Sequence, residues 1–381
     1  MITQPFKLIT LCVAVVLLGA CSSSGGSLPD PTALKSIVSQ LDLHKHWSVS
    51  VGKGDRQSSG VLEPALDEHQ VVAVAGTTLV SYDLTTGNVL WKADLGDTAS
   101  AGVEMAASQL FVATQSGKLM AFNKQDGAGT WQVNTSSEAL ASPRSNGSIV
   151  VVQTIDGKVS AYHAEDGQFL WSYAANMPSL TVRGTSTPVI TNNYTYAGFA
   201  SGKLVALDNA TGQLVWQQVI GSAVGRSEIE RLVDIDGAII LSDGTLYVTS
   251  YQGNLAAVDA LTGSIKWQEP VSSLSGAQLM DDVILVVDAQ DRVLAYDRKQ
   301  GHVLWQNDAL KHRLLSSPMN LSGYGLVVDA QGYAHLLQLS DGALVGREKI
   351  GSKGPRIGAK RAQNNVYLLS QDGRLTRLGL N

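Results

Sequence analysis

The chain has 381 residues, and its 28 Lys and Arg against 33 Asp and Glu give a formal net charge of −5. That mildly acidic balance, without a basic run, excludes nucleic acid and anionic lipid headgroups as the partners its surface is built for. A content of 44% hydrophobic residues with 38 glycines and 2 cysteines suits a well-packed protein of many short strands and tight turns, not a disulfide scaffold.

The first 20 residues read as an export signal. Lys7 supplies the positive charge, Leu8 to Ala20 is an apolar run too short to span a bilayer, and small residues precede Cys21. Leu18-Gly19-Ala20-Cys21 resembles a bacterial lipobox. That resemblance implies that Cys21 becomes the acylated N-terminal residue of the mature chain, since several acyl chains give stable anchoring where one does not. Cys12 leaves with the signal, so no thiol pair remains for a disulfide. By resemblance to lipoprotein sorting signals, Ser22 rather than Asp after the cysteine implies transfer to the outer membrane, facing the periplasm.

Residues 21–44 follow as a lipidated N-terminus and tether, rich in Ser and Gly before Pro29 and Pro31, with a short helix expected in its later part. About 24 flexible residues would span roughly 27 Å root-mean-square.

From residue 45 to residue 381 the chain repeats. An aliphatic marker, an Ala/Ser-aromatic-Asp-like step, a Gly turn and a Trp recur as LVSYDLTTGNVLW to Trp91, LMAFNKQDGAGTW to Trp131 and VSAYHAEDGQFLW to Trp171. The unit returns at Trp216, Trp267 and Trp305, then as AHLLQLSDGALVG, where Gly346 stands in the Trp position. Between the markers Leu79, Leu119, Val159, Leu204, Leu255, Val293, Ala334 and Leu375 the periods are 40, 40, 45, 51, 38, 41 and 41. Such a period with short apolar strands is the signature of a β-propeller, and it overrules the two or three domains the length would suggest. The last copy ends before any Trp, whereas Trp47 has the final-strand pattern without its predecessors. An all-β ring of eight four-stranded blades is expected, closed by the N-terminal strand completing the last blade.

Within each unit, glycines at Gly117, Gly157, Gly202, Gly253, Gly332 and Gly373 mark a hairpin that needs positive φ, with Asp291 in that place in the sixth blade. Pro64, Pro143, Pro188 and Pro318 are placed to open innermost strands, where no ladder donor is needed. A blade cannot bury both faces alone, so the indole at a fixed position reads as the seal between neighbours. At roughly 200 Å² and about 25 cal/mol per Å², each contributes on the order of 5 kcal/mol gross. Gly346 is expected to leave the seventh blade the least well sealed.

Catalytic signatures are absent from the sequence: there is no phosphate loop, HExxH, GxSxG or paired-Cys motif. His44 and His46, and Asp234-Ile235-Asp236, come closest to ligand spacing. The latter lacks the Gly and terminal Glu of a calcium loop. No cofactor, metal or catalytic residue is expected. What carries information is the two long periods, both between one blade's Trp and the next blade's first strand, at 172–188 and 217–237. These crossovers are adjacent and belong to one face, where insertions build binding sites. The first presents Met177, Leu180, Val182 and Arg183; the second presents Arg226, Glu228, Glu230, Arg231, Asp234 and Asp236. An aliphatic patch with an arginine beside a row of acids suits a protein interface, and an ion pair from Arg183 to Asp234 or Asp236 would tie the loops together.

The lipobox, the tether, the repeats and the segments PSLTVRG, EIERLVDID and HRLLSSP resemble the BamB family, lipoprotein subunits of the machinery that assembles outer-membrane β-barrels. The resemblance covers essentially the whole chain. It implies a non-enzymatic scaffold that binds the periplasmic POTRA region of BamA within the BAM complex and assists the folding and insertion of outer-membrane proteins. By the same resemblance, the partner-binding residues are Leu180, Val182, Arg183, Asp234 and Asp236, with Val182 standing where Leu is more usual. Unfolded outer-membrane strands are a further partner through edge pairing. The Ala-x-Asp-x-x-Thr-Gly-x-x-x-Trp pattern at Ala206 to Trp216 and Ala257 to Trp267 also resembles the repeat of pyrroloquinoline-quinone dehydrogenases. Their adjacent cysteines, calcium site and roofing loops have no counterpart here. A WD40-like adaptor fits less well, because no Trp is followed by Asp.

Overall fold

The computed structural model describes residues 29–54, 60–178, 180–181, 186–221, 226–227, 230, 232–351 and 357–381. These form eight four-stranded antiparallel sheets, one per repeat, at 65–94, 99–134, 144–174, 189–219, 240–271, 277–307, 319–349 and 357–380. The eighth sheet takes its outermost strand, Leu43–Ser50, from the N-terminus. It pairs with Arg374–Leu380 in a register running from Leu43 opposite Leu380 to Ser50 opposite Arg374. The ring is therefore closed by the first and last strands of the propeller, as the repeat count requires.

The local chemistry of each blade follows from its repeat. Pro64, Pro143, Pro188 and Pro318 each stand immediately before a short innermost strand. The second strands are the most apolar and the most buried, as in Gln70–Ala75 and Ile149–Thr154. Asp291 does adopt positive φ, at 61°, in the place glycine holds elsewhere. In the fifth blade the left-handed residue is Gln252, at 48°, one position before the expected Gly253. The Asp of the DxxTG turn explains its own recurrence: the Asp83, Asp208 and Asp259 carboxylates each accept from the next two free N–H groups and from the Thr hydroxyl, at 2.7–3.1 Å.

That turn is also where the neighbouring blade docks. Each indole N–H donates to a carbonyl in the turn between the third and fourth strands of the next blade: Trp47 to Thr85, Trp91 to Lys124, Trp131 to Ala164, Trp171 to Asn209, Trp216 to Ala260, Trp267 to Arg298 and Trp305 to Leu339, at 2.6–3.1 Å. Each ring lies on the turn's glycine. At Gly127, with φ +73°, a Cβ would stand 2.4 Å from Trp91 Cε3, so the position needs glycine twice, for its backbone and for the ring above it.

The expectation of a weak seal at Gly346 is corrected here, and the reason lies in ring closure. The eighth blade has no turn between its third and fourth strands, because those strands are the two ends of the propeller. An indole at position 346 would have nothing to sit on. The incoming chain fills the place instead: Gln40 and Leu41 donate N–H bonds to Val345 O at 2.8 and 3.1 Å, and a Cβ at Gly346 would stand 3.0 Å from Leu41 O.

Residues 31–42 thus lie along the ring without forming a helix, against the helix expected there. Leu34 packs on the cluster of Leu310, Leu315 and Leu337, and Leu41 on the cluster around Leu43, Val345 and Ile357. Thr32 N–H donates to Lys311 O at 3.0 Å and Thr32 O accepts from Arg313 Nη1 at 2.8 Å. Arg347 Nη1 donates to Lys35 O at 2.9 Å. Behind these arginines Asp329 is fully buried, paired with Arg313 at 2.6 Å and accepting from His335 Nε2 at 3.0 Å. Arg347 Nε donates to His335 Nδ1 at 3.2 Å, which fixes the neutral tautomer. Burial holds this imidazole below its ordinary value although Asp329 pulls the other way.

Candidate partner-binding face

In a blade whose strands alternate in direction, the crossover from the fourth strand to the next blade lies on the same face as the turn between the second and third strands. The two stretched crossovers follow that rule and fold down onto those turns. In the first, Ala175 N–H donates to Gly157 O at 2.9 Å, and the Met177 side chain covers Gly157, where a Cβ would stand 2.3 Å from Met177 Cγ. In the second, Ile220 N–H donates to Gly202 O at 2.9 Å. The returning segment then crosses to the fifth blade, with Tyr251 N–H donating to Asp234 O at 2.7 Å in an isolated bridge.

Val233 and Ile235 anchor this return. Val233 lies over Gly202 and Gly221, and Ile235 is fully buried against Gly198, where a Cβ would meet its Cγ2 at 2.3 Å. The crossovers touch each other: Ser186 Oγ donates to Gly237 O at 3.4 Å, and Met177, Ser186, Asp234 and Ile235 meet around a cavity of about 10 Å³. That holds about one water, so the described residues of the two loops are packed together there.

The five residues expected at the interface are not equivalent. Leu180 is 42% exposed. Asp236 is half-buried, and Asp234 is only 2% exposed, so its side chain faces inward while its main chain pins the loop. Val182 and Arg183 lie outside the described residues, and with them the expected Arg183 ion pair. Between the crossover's two halves Glu230 accepts from the N–H groups of Arg226 and Ser227 at 2.7 and 3.2 Å, which lowers its carboxyl below the ordinary value. The anchors Val233 and Ile235 were not singled out from sequence. Their only signal was two β-branched residues interrupting a polar loop.

Among the described residues outside this face, a charge cluster joins the innermost strands of the second, third and eighth blades to Glu63, just before that of the first. Arg144 bridges Glu63 at 3.0 Å and Glu104 at 3.2 Å, and Lys360 reaches Glu63 at 3.2 Å. Burial pushes Glu63 up, but Lys360 and Arg144 outweigh it and hold the carboxyl at about 2. Glu104 is raised by burial, with Arg144 opposing. Two acids against two bases across the closing seam is a ring-fastening arrangement. On the outer rim, a groove of about 620 Å³ runs between the second and third blades beside Tyr162 and the 57% exposed Phe169.

A family model described as outer membrane protein assembly factor BamB matches residues 75–307. The outer membrane protein assembly factor BamB of Pseudomonas aeruginosa is 47% identical over 366 residues, covering 96% of each chain. Among solved structures, the crystal structure of BamB from Moraxella catarrhalis superposes with a TM-score of 0.81 at 30% identity, over 89% of this chain and 100% of that one. The quinohemoprotein alcohol dehydrogenase from Comamonas testosteroni gives a TM-score of 0.70 at 14% identity, over 91% of this chain and 78% of that one, a likeness of fold alone.

Proposed function

The chain belongs to the BamB family of outer membrane protein assembly factors, and from that membership we propose that its crossover face is the surface by which it binds the periplasmic POTRA region of BamA. It is an assembly factor and not an enzyme, associated with the outer membrane as a component of the BAM complex. Acylated Cys21 anchors it there, facing the periplasm.

The observation that carries this reading is the convergence of the two stretched crossovers into one packed surface with Leu180 left exposed. Leu180, Val182 and Arg183 supply the apolar and cationic contact. Asp236 supplies acid at its margin, and Asp234 acts from beneath by holding the loop against Tyr251. Unfolded outer-membrane strands have a separate place to pair: the open outermost edges, where Val89 and Leu90, Phe169 and Leu170, Leu214 and Val215, and Val303 and Leu304 are all exposed.

The test is Arg183→Glu in the full-length lipoprotein. Co-purification with BamA from solubilised envelopes is expected to fall at least tenfold, as for a charge reversal worth about 1.4 kcal/mol or more. The melting transition should not move, since position 183 falls in the sequence between the strands Phe169–Ala174 and Val189–Ile190. Equal yields of BamA would refute the site.

A further inference from the structure

We propose that residues 31–41 are a docked strap which makes the chain leave the ring on the crossover face, at the rim of the sixth and seventh blades, and so turns that face toward the membrane. The proposal rests on the reading of Cys21 as the lipid anchor.

The path of the strap is fixed at both ends and in the middle. Leu41 lies beside Val345, at the start of the outermost strand Leu344–Lys349. Lys35 is bonded to Arg347 midway along that strand, and Thr32 to Lys311 and Arg313. Lys311 and Arg313 sit in the crossover between the sixth blade's last strand and the seventh blade's first, and Ala330 N–H from the seventh blade's second turn donates to Arg313 O at 3.0 Å. The strap therefore runs antiparallel to Leu344–Lys349 across the whole thickness of the ring. It enters the eighth blade on the face where the indoles dock and emerges on the opposite face, the one built from crossovers.

Three features make the strap a built part of the fold. Gly346 leaves room for Leu41 O, Leu34 is seated between the sixth and seventh blades, and two arginines held by the buried Asp329 and His335 grip main-chain carbonyls of the strap. Only nine residues, 22–30, separate Cys21 from Pro31. Fully extended, they reach at most about 30 Å. Without the strap, the anchor would leave the ring at Leu43 on the other face, with roughly twice that reach. The short lead pulls the crossover side of the sixth and seventh blades to the bilayer and presents the proposed POTRA-binding surface, on the same face, toward the membrane.

The mature lipoprotein has no cysteine beyond Cys21, so single thiols can be placed at will. Gln290→Cys lies in the crossover-face turn of the sixth blade and Gln300→Cys in its indole-face turn, both exposed, on either end of the strand Val293–Asp297 and about 20 Å apart. With lipidated protein in vesicles carrying acceptor lipids, energy transfer is expected to be at least about twofold stronger from Gln290→Cys. Equal or reversed transfer overturns the orientation. Replacing residues 31–38 by Gly and Ser at constant length should shrink the difference, and an unchanged difference removes the strap from the explanation. Mass analysis of the N-terminal peptide separates the premise: an unmodified Cys21 with no vesicle binding overturns anchor and orientation together. The docked strap is read independently in the soluble Cys21→Ser chain, where the Thr32, Gln40 and Leu41 amides should be protected from hydrogen exchange. Exchange at free-peptide rates there would mean that no strap is docked.

Discussion

Substituting one turn glycine tests the way the blades are locked. Gly127 and Gly96 both have positive φ, +73° and +65°, but a Cβ at Gly96 meets nothing within 4 Å whereas at Gly127 it would stand 2.4 Å from Trp91 Cε3. Gly96→Ala should therefore show the backbone cost alone, about 1–2 kcal/mol for an L residue held in the left-handed region. Gly127→Ala should add the overpacking of a displaced indole, about 1–3 kcal/mol more, with loss of the Trp91 bond to Lys124 O. Urea unfolding followed by circular dichroism reads both. The reasoning extends to a double-mutant cycle: once Trp91→Ala has removed the ring, Gly127→Ala should cost little more than Gly96→Ala, an interaction of about 1–3 kcal/mol. Equal losses in the two glycine variants, or strict additivity in the cycle, would refute docking on the turn glycine as the seal.

Two further outcomes follow from the same geometry. Trp216→Ala removes a ring seated on Gly263 and bonded to Ala260 O, so it should cost about 3–5 kcal/mol in urea unfolding; an unchanged midpoint would show the indole to be dispensable. Glu63 is held at about 2 in the folded ring against 4.5 ordinarily, so its contribution is complete above 4.5 and is lost as pH falls from there through about 2, at most about 3 kcal/mol. Glu104, with its value raised, acts in the opposite sense and reduces the net slope. The urea midpoint of the parent should drop across that window more steeply than that of Glu63→Gln, and parallel curves would break the assignment.

What could be read from the sequence is what depends on neighbours in the repeat. The Trp that recurs seven times, the DxxTG turn that recurs three times and the prolines before four innermost strands are local chemistry written repeatedly, so each copy corroborates the others. The positive φ at Asp291 was legible because it occupies a column of glycines. Gly346 was legible as an exception but not as a consequence, because its cause is the absence of a turn where the ends of the chain meet. The strap was hidden for the same reason: Leu34 and Leu41 lie in a short polar segment whose apolar partners are some 300 residues away in sequence. The buried Asp234 ran against the rule that acids face water. Its placement is set by Val233 and Ile235 finding Gly202 and Gly198, a contact that no local propensity encodes.

The two faces of the ring have different freedom to change, and this bears on why the proposed binding residues lie on the crossover face. On the indole face, each turn must present a glycine and a carbonyl to the ring of the preceding blade, so a longer turn would break a seal. On the crossover face the chain has only to span from an outermost strand to the next innermost one. Loop closure there costs about 0.6 kcal/mol per doubling of length, so periods stretched from 40 to 45 and 51 weigh little against a ring sealed by seven indoles. The added residues then recover part of that cost by burying Met177, Val233 and Ile235 on neighbouring turns, which stiffens the surface before any partner arrives. A substitution at the tip of such a crossover should accordingly change partner affinity without changing ring stability, whereas Ile235→Ala should change both: it leaves a void over Gly198, costing about 2–5 kcal/mol, and frees the loop that carries Asp234 and Asp236. Full BamA binding by an Ile235→Ala ring that still melts as the parent does would show that the loop's packing has no part in recognition.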